Sequence, residues 1–233
     1  MTKITLDEMV RQLIDDEEYF GPEGACPARF EEGANPRILL ITGGNASGKS
    51  FACRYLNSIA DGEKVEFMRV GMGMRTGSGI PGMQKAMMFG DEGINSTGIV
   101  SGNVIRTGIS TCEGRGHAHV LCLDEPDIGM AEETQDAAGQ VLVRFAESMP
   151  EKTLGLVVVT HSRQIAGRLL ALDPLRIRCG EADLRTTADW VAQGPLPMSI
   201  EDYEAQRERA FERRRAIQSV INSRKESRSP SYG

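Results

Sequence analysis

Two glycines stand five residues apart in Gly43-Gly44-Asn45-Ala46-Ser47-Gly48-Lys49-Ser50, with a lysine and a hydroxyl directly after the second. In a loop of this kind successive backbone N–H groups can turn inward on an anion, the ammonium can reach terminal phosphates, and the hydroxyl can hold a magnesium ion. The pattern predicts a phosphate-binding loop for a nucleoside triphosphate, read as ATP with Mg2+. Its contacts would be Gly43, Gly44, Asn45, Ala46, Ser47, Gly48, Lys49, Ser50 and the following Phe51. Lys49 would reach the β- and γ-phosphates and Ser50 would ligate the metal. A glycine-rich turn could match by chance, but an apolar strand, Ile38 to Ile41, stands directly before the loop and supplies the context such a site needs.

Some 75 residues downstream of Lys49, the apolar run Val120-Leu121-Cys122-Leu123 ends in Asp124-Glu125. Two carboxylates after a buried strand can divide two tasks: Asp124 would hold Mg2+ and Glu125 would orient or polarise the water that attacks the γ-phosphate. A third polar residue, His161, ends the apolar strand Gly155 to Thr160, where ligands of open α/β sheets gather, so a γ-phosphate contact is expected of it. His117 and His119 alternate ahead of Asp124. With no acid or cysteine at ligand spacing they read as a polar strand edge in preference to a metal site.

The elements that must carry these residues follow from periodicity. Leu6, Met9, Val10, Leu13 and Ile14 recur at helical spacing over residues 5 to 18, with Thr5 and Glu8 as a capping box. Residues 21 to 36 read as a Gly/Pro-rich connector. A helix should open at the phosphate loop, carry Phe51, Tyr55, Leu56 and Ile59, and turn at Asp61-Gly62 before a strand near Val65 to Val70. Between Gly71 and Gly116 lie twelve glycines, which predict loops broken by short helices, either a surface insertion or backbone that approaches a ligand closely. Then come a strand over His119 to Leu123, a helix over Glu132 to Ser148 with Ala137, Ala138, Val141, Leu142 and Phe145 inward, and a strand over Leu156 to Thr160. A helix over Arg163 to Leu172 and a strand around Leu175 to Cys179 complete the core. Alternating strands and helices indicate an α/β fold, a mainly parallel sheet with helices on both faces. Three regions are expected: an N-terminal helix and connector (1–35), the α/β domain (36–198), and a charged helix with a basic, disordered tail (199–233).

Composition fits an ordinary globular chain: 233 residues, 40% hydrophobic and 26% charged, with no apolar run long enough to span a bilayer. No cationic start followed by an apolar stretch is present, so a cytoplasmic location with no integral membrane segment is expected. The cysteines, five and widely spaced, predict free thiols. A net charge of −6 argues against a general nucleic-acid coat. The segment Arg213 to Arg228 nevertheless carries +5, which leaves nucleic acid or an acidic protein as partners for the basic end, beside the plainer reading of a solvated helix with a frayed terminus.

In their order, these motifs resemble the ATP-binding cassette (ABC) class of P-loop ATPases over residues 36 to 180. Gly43 to Ser50 resembles the Walker A loop, Val120 to Glu125 followed by Pro126 resembles Walker B with its catalytic glutamate, and Val159-Thr160-His161 resembles the switch histidine. The resemblance implies that Ser101-Gly102 begins the signature loop, that Gln84 is the Q-loop glutamine at the metal, and that two copies pair across ATP as a homodimer. The chain departs from the family where Ala131 replaces the aspartate after Walker B, which bears on coupling between two sites. The segment between Lys49 and Ser101 is short for a transporter subunit, and no long heptad repeats are present. An N-terminal helix stands where antiparallel strands are expected, leaving Tyr19, Phe20 and Phe30 as candidates to stack on adenine. The chain is thus similar to a minimal, stand-alone member.

Two other readings use the same motifs. One is a nucleotide-dependent binding or assembly module with slow hydrolysis; the other is a small-molecule kinase, for which Arg69, Arg75, Arg106 and Arg115 are candidate lid arginines.

Overall fold

Ile38, Leu39, Leu40 and Ile41 are all fully buried, as a strand covered on both faces requires. They lie at the centre of an α/β architecture seen in a computed structural model that describes residues 3–71 and 96–228. The elements run α1 (Leu6–Ile14), α2 (Glu17–Phe20), β1 (Ala28–Glu31), β2 (Asn35–Gly43), α3 (Lys49–Gly62), β3 (Glu66–Gly71) and α4 (Thr97–Glu113). They continue with β4 (His119–Asp124), α5 (Glu132–Glu147), β5 (Thr153–Val159), α6 (Arg163–Leu170), β6 (Pro174–Cys179), α7 (Thr187–Gln193) and α8 (Ile200–Arg228). The strands form one six-stranded sheet in the order β1-β6-β2-β5-β4-β3. All neighbours are parallel except β1, which pairs antiparallel with β6 at the edge.

Side chains alternate across a strand, so each sheet face builds its own core. Leu39 and Ile41, with Val157, Val159, Val120 and Cys122, face Leu6, Met9 and Leu13 of α1 and Ala52, Cys53 and Leu56 of α3. Ile38 and Leu40, with Leu156, Val158, Leu121 and Leu123, face α4, α5 and α6. The capping box of α1 is formed: Glu8 N donates to Thr5 Oγ1 at 3.2 Å, and Thr5 N donates to Glu8 Oε2 at 2.7 Å. No described helix is long and apolar enough to cross a membrane.

Several expectations are corrected. The supposed connector contains β1, whose four residues are all half-buried and so display no alternation. Residues 97–113 are a 17-residue helix, not loops. Gly108 is a packing position: a Cβ there would come within 3.2 Å of Leu121 and 3.3 Å of Leu123, so the missing side chain lets α4 settle onto β4. Ala137 and Val141 of α5 face solvent, while Gly139 and Ala146 face inward. The short helix α7 has no counterpart among the sequence expectations, and α8 continues through Arg228, past the expected end of the charged helix.

Candidate functional site

The site follows from strand register. Ile41, Val159 and Asp124 stand level on the adjacent parallel strands β2, β5 and β4, so the segments that leave these strands emerge side by side. Those segments carry Gly43 to Ser50, Thr160-His161 and Glu125.

Gly43 ends β2 and Lys49 opens α3. Between them Gly48 has φ 102, a left-handed conformation, and a Cβ there would lie 1.9 Å from the Cys26 sulfur, so only glycine fits. The Lys49 ammonium is buried and donates to the Gly43 carbonyl at 3.2 Å and the Gly44 carbonyl at 2.9 Å. Burial pulls its pKa below the ordinary value of 10.5, partly offset by the Glu125 carboxylate. Gly44, Asn45 and Ser50 are exposed, Ala46 is half-buried and Ser47 is buried. Phe51 joins an aromatic cluster, 5.0 Å from Tyr19 and stacked 5.6 Å from Phe20.

Glu125 has φ 51, which few non-glycine residues adopt, and its N–H donates to the Val159 carbonyl at 2.8 Å. Its Oε1 lies 3.3 Å from His161 Nε2. The hydrogen bond from His161 holds the Glu125 carboxyl below its ordinary 4.5 despite burial, with Lys49 adding in the same direction. Asp124 is turned to Arg69 of β3, whose Nε donates to Oδ2 at 3.0 Å and whose second guanidinium nitrogen reaches the same oxygen. Asp127 accepts from Thr160 Oγ1 at 2.6 Å, and burial raises its pKa.

Lys49, Asp124, Glu125 and His161 thus share one end of the sheet. Ser101 and Gly102 do not belong to an exposed loop: both lie within α4, and Ser101 is fully buried with its hydroxyl donating to the Ile128 carbonyl at 2.6 Å. This corrects the expected signature loop. Gln84, and with it Arg75, falls outside the described residues. His119 is buried, with one ring nitrogen against the His117 carbonyl and the other against Thr153 Oγ1, and His117 pairs with Glu66; both histidines are structural. Phe30 lies on β1 beneath the Arg11 guanidinium, and Tyr19 and Phe20 are packed into the aromatic cluster. Among the described residues no cluster of three or more His, Cys, Asp or Glu has metal-binding proximity.

Two contributors were not legible as site residues. The sequence marks Arg69 only as a candidate lid arginine, although its strand neighbours that of Asp124. The sequence marks the basic end as a charged helix to about Ile221 with a disordered tail and gives it no place at the loop, whereas α8 borders with the loop a cavity of about 1080 Å³ lined by Ser47, Lys49, Glu125, Arg207, Arg213 and Arg214 among others. Apolar residues at helical spacing in α8, Ile217, Val220 and Ile221, were the available signal. No family model and no curated protein matches this sequence.

Proposed function

We propose that the chain binds ATP through Gly43 to Ser50 and hydrolyses it with Glu125, as a minimal relative of ABC-type P-loop ATPases. The observation that carries this reading is the meeting of Lys49, Asp124, Glu125 and His161, drawn from three separate stretches of sequence, at the C-terminal ends of adjacent parallel strands. Open α/β sheets take their ligands there. A cavity of about 1080 Å³ is ample for a nucleotide.

On this reading Lys49 exchanges the carbonyls of Gly43 and Gly44 for the β- and γ-phosphates, a gain because a buried ammonium bonds more strongly to an anion than to a neutral oxygen. The Ser50 hydroxyl and Asp124 carboxylate are oxygen donors that suit Mg2+, which is commonly held by few protein oxygens together with phosphates. The bound ion would draw charge from the phosphate oxygens. Glu125, kept ionised by His161, accepts a proton from water as the water oxygen bonds to the γ-phosphorus. The bond from that phosphorus to the β–γ bridging oxygen breaks, and its electron pair leaves with ADP.

The pairing of two copies implied by the resemblance is not part of this reading, because Ser101 faces the core and α8 lines the cavity beside the loop a second copy would approach. Nor is a nucleic-acid role for the basic end, since Arg224 is ion-paired to Asp16 and Glu18 and α8 lines the cavity beside the loop. The test is phosphate release without any acceptor. Glu125→Gln should lower it by about 100-fold or more while ATP still binds. Unchanged release would overturn the assignment, and no release from the unaltered protein would favour a kinase or a binding module.

A further inference from the structure

The cavity over the loop has a peculiar charge balance. Seven lysine and arginine side chains border it among the described residues, five of them from α8, against the single carboxylate of Glu125. The α8 residues 207, 211, 214, 218, 221 and 225 recur every three or four positions and so share the face turned to the loop. Arg224 is neutralised by Asp16 and Glu18, but Arg207 and Arg214 have no ion pair among the described residues. Like charges gathered in a concave, partly enclosed space repel one another unless an anion joins them.

The helix is held against the loop by specific contacts. Ile217, Val220 and Ile221 pack on the cluster that includes Tyr19, Phe51 and Tyr55. At one end Arg224 bonds to Asp16 and Glu18, and towards the middle Arg213 Nη2 sits 3.3 Å from Glu181 Oε2.

Beside the loop, two buried polar atoms lack a hydrogen-bond partner among the described residues: Ser47 Oγ and Arg213 Nε. Ser47 is 6% exposed, and the Arg213 Cδ lies 3.6 Å from where a side chain on Gly48 would begin. Buried donors of this kind are normally satisfied, and both can donate to phosphate oxygens.

We infer that α8 is the second wall of the site, and that Arg207, Arg213 and Arg214 bind the phosphates of the nucleotide in cis; this rests on the triphosphate reading above. One copy of the chain then supplies both sides of the site, the loop and the covering cations. Pairing of two copies face to face over the loop would require α8 to leave.

The test titrates the full chain with adenylyl imidodiphosphate and Mg2+ by calorimetry, comparing the unaltered protein, Lys49→Ala, the pair Arg207→Gln with Arg214→Gln, and the pair Arg207→Lys with Arg214→Lys. Both arginines are exposed, so the melting temperature should not fall. Affinity should fall about tenfold or more in the glutamine pair and recover largely in the lysine pair. Mixing the Lys49→Ala chain with the glutamine pair should give no more ATP turnover than the two separately. Undiminished affinity in the glutamine pair, with binding lost in Lys49→Ala, would overturn the inference and leave the triphosphate reading standing. Restored turnover on mixing would place the arginines in trans and also overturn it. Failure of the unaltered protein to bind the analogue would overturn both.

Discussion

His161 Nε2 lies 3.3 Å from Glu125 Oε1, although 36 residues and the whole of α5 separate them in the chain. The contact exists because β4 and β5 are adjacent and in register at Asp124 and Val159, so the segments that leave the two strands emerge side by side. It also sets the ionisation of Glu125, whose carboxyl is held below 4.5 chiefly by the hydrogen bond from His161. Replacing His161 by Ala therefore raises the Glu125 pKa. On the ATPase reading, a Glu125 carboxylate that must be ionised to act loses activity as the pH falls through its pKa, so the acid limb of the ATP-turnover profile should move to higher pH in His161→Ala. An acid limb that stays in place would show that His161 does not set Glu125.

Gly48 should tolerate no side chain for two separable reasons, its φ of 102 and the Cys26 sulfur 1.9 Å from the site of a Cβ. Gly48→Ala should destabilise the fold by about 3 kcal/mol or more, combining backbone strain with overpacking. Removing the sulfur relieves only the second cause, because the Cys26 Cβ stands at an ordinary 3.6 Å. In urea unfolding, Cys26→Ala with Gly48→Ala should thus cost less than the sum of the two single changes. Strict additivity would mean the sulfur is not the obstacle.

How far the sequence discloses these features depends on how local their causes are. The run Ile38 to Ile41 and the loop behind it are legible because burial on two faces and a glycine-lysine turn leave their marks within a dozen residues. The helix α4 is hidden because Gly98, Gly102 and Gly108 look like loop residues, although Val100, Val104, Ile105 and Cys112 keep helical spacing. At Gly108 the glycine serves close packing on Leu121 and Leu123, a cause located on another strand. The docking of α8 is still less local. Its composition is that of a solvated helix, and its position depends on Asp16, Glu18 and Tyr19, some two hundred residues earlier.

The anchor at Arg224 gives a pH-dependent prediction. Its guanidinium sits 4.6 Å from the Tyr19 ring centroid and donates to Asp16 at 2.8 and 2.6 Å. Burial pushes the Asp16 carboxyl up, but hydrogen bonds from Arg224 and Tyr55 outweigh it and leave the pKa below 3.8. A depressed carboxyl pKa means the stabilisation is present above 3.8 and is lost as the pH falls through the lower, folded value. Amide exchange in residues 217–228 should accelerate in that acid range before the β2 amides are affected. Arg224→Ala should produce the same selective loosening at neutral pH, at a cost of about 1 kcal/mol for a partly exposed pair with a cation–π contact. Equal acceleration throughout the sheet would mean that the anchor holds more than α8.

Arg69 and Mg2+ should compete for Asp124. One carboxylate oxygen is taken by two guanidinium nitrogens of Arg69, one of them at 3.0 Å, so metal binding at Asp124 must loosen that pair and meets a nearby positive charge. Arg69→Gln removes the charge and both guanidinium contacts to the oxygen. On the ATPase reading, the half-saturating Mg2+ concentration for ATP binding should therefore fall several-fold, which corresponds to about 1 kcal/mol. Arg69 is on the sheet-edge strand β3, with its side chain only partly buried, so the substitution leaves the core intact. The variant also separates a competitor from a lid: an arginine that bound the phosphates would, on removal, weaken ATP at saturating Mg2+, whereas an arginine that only occupies Asp124 would leave that limit unchanged.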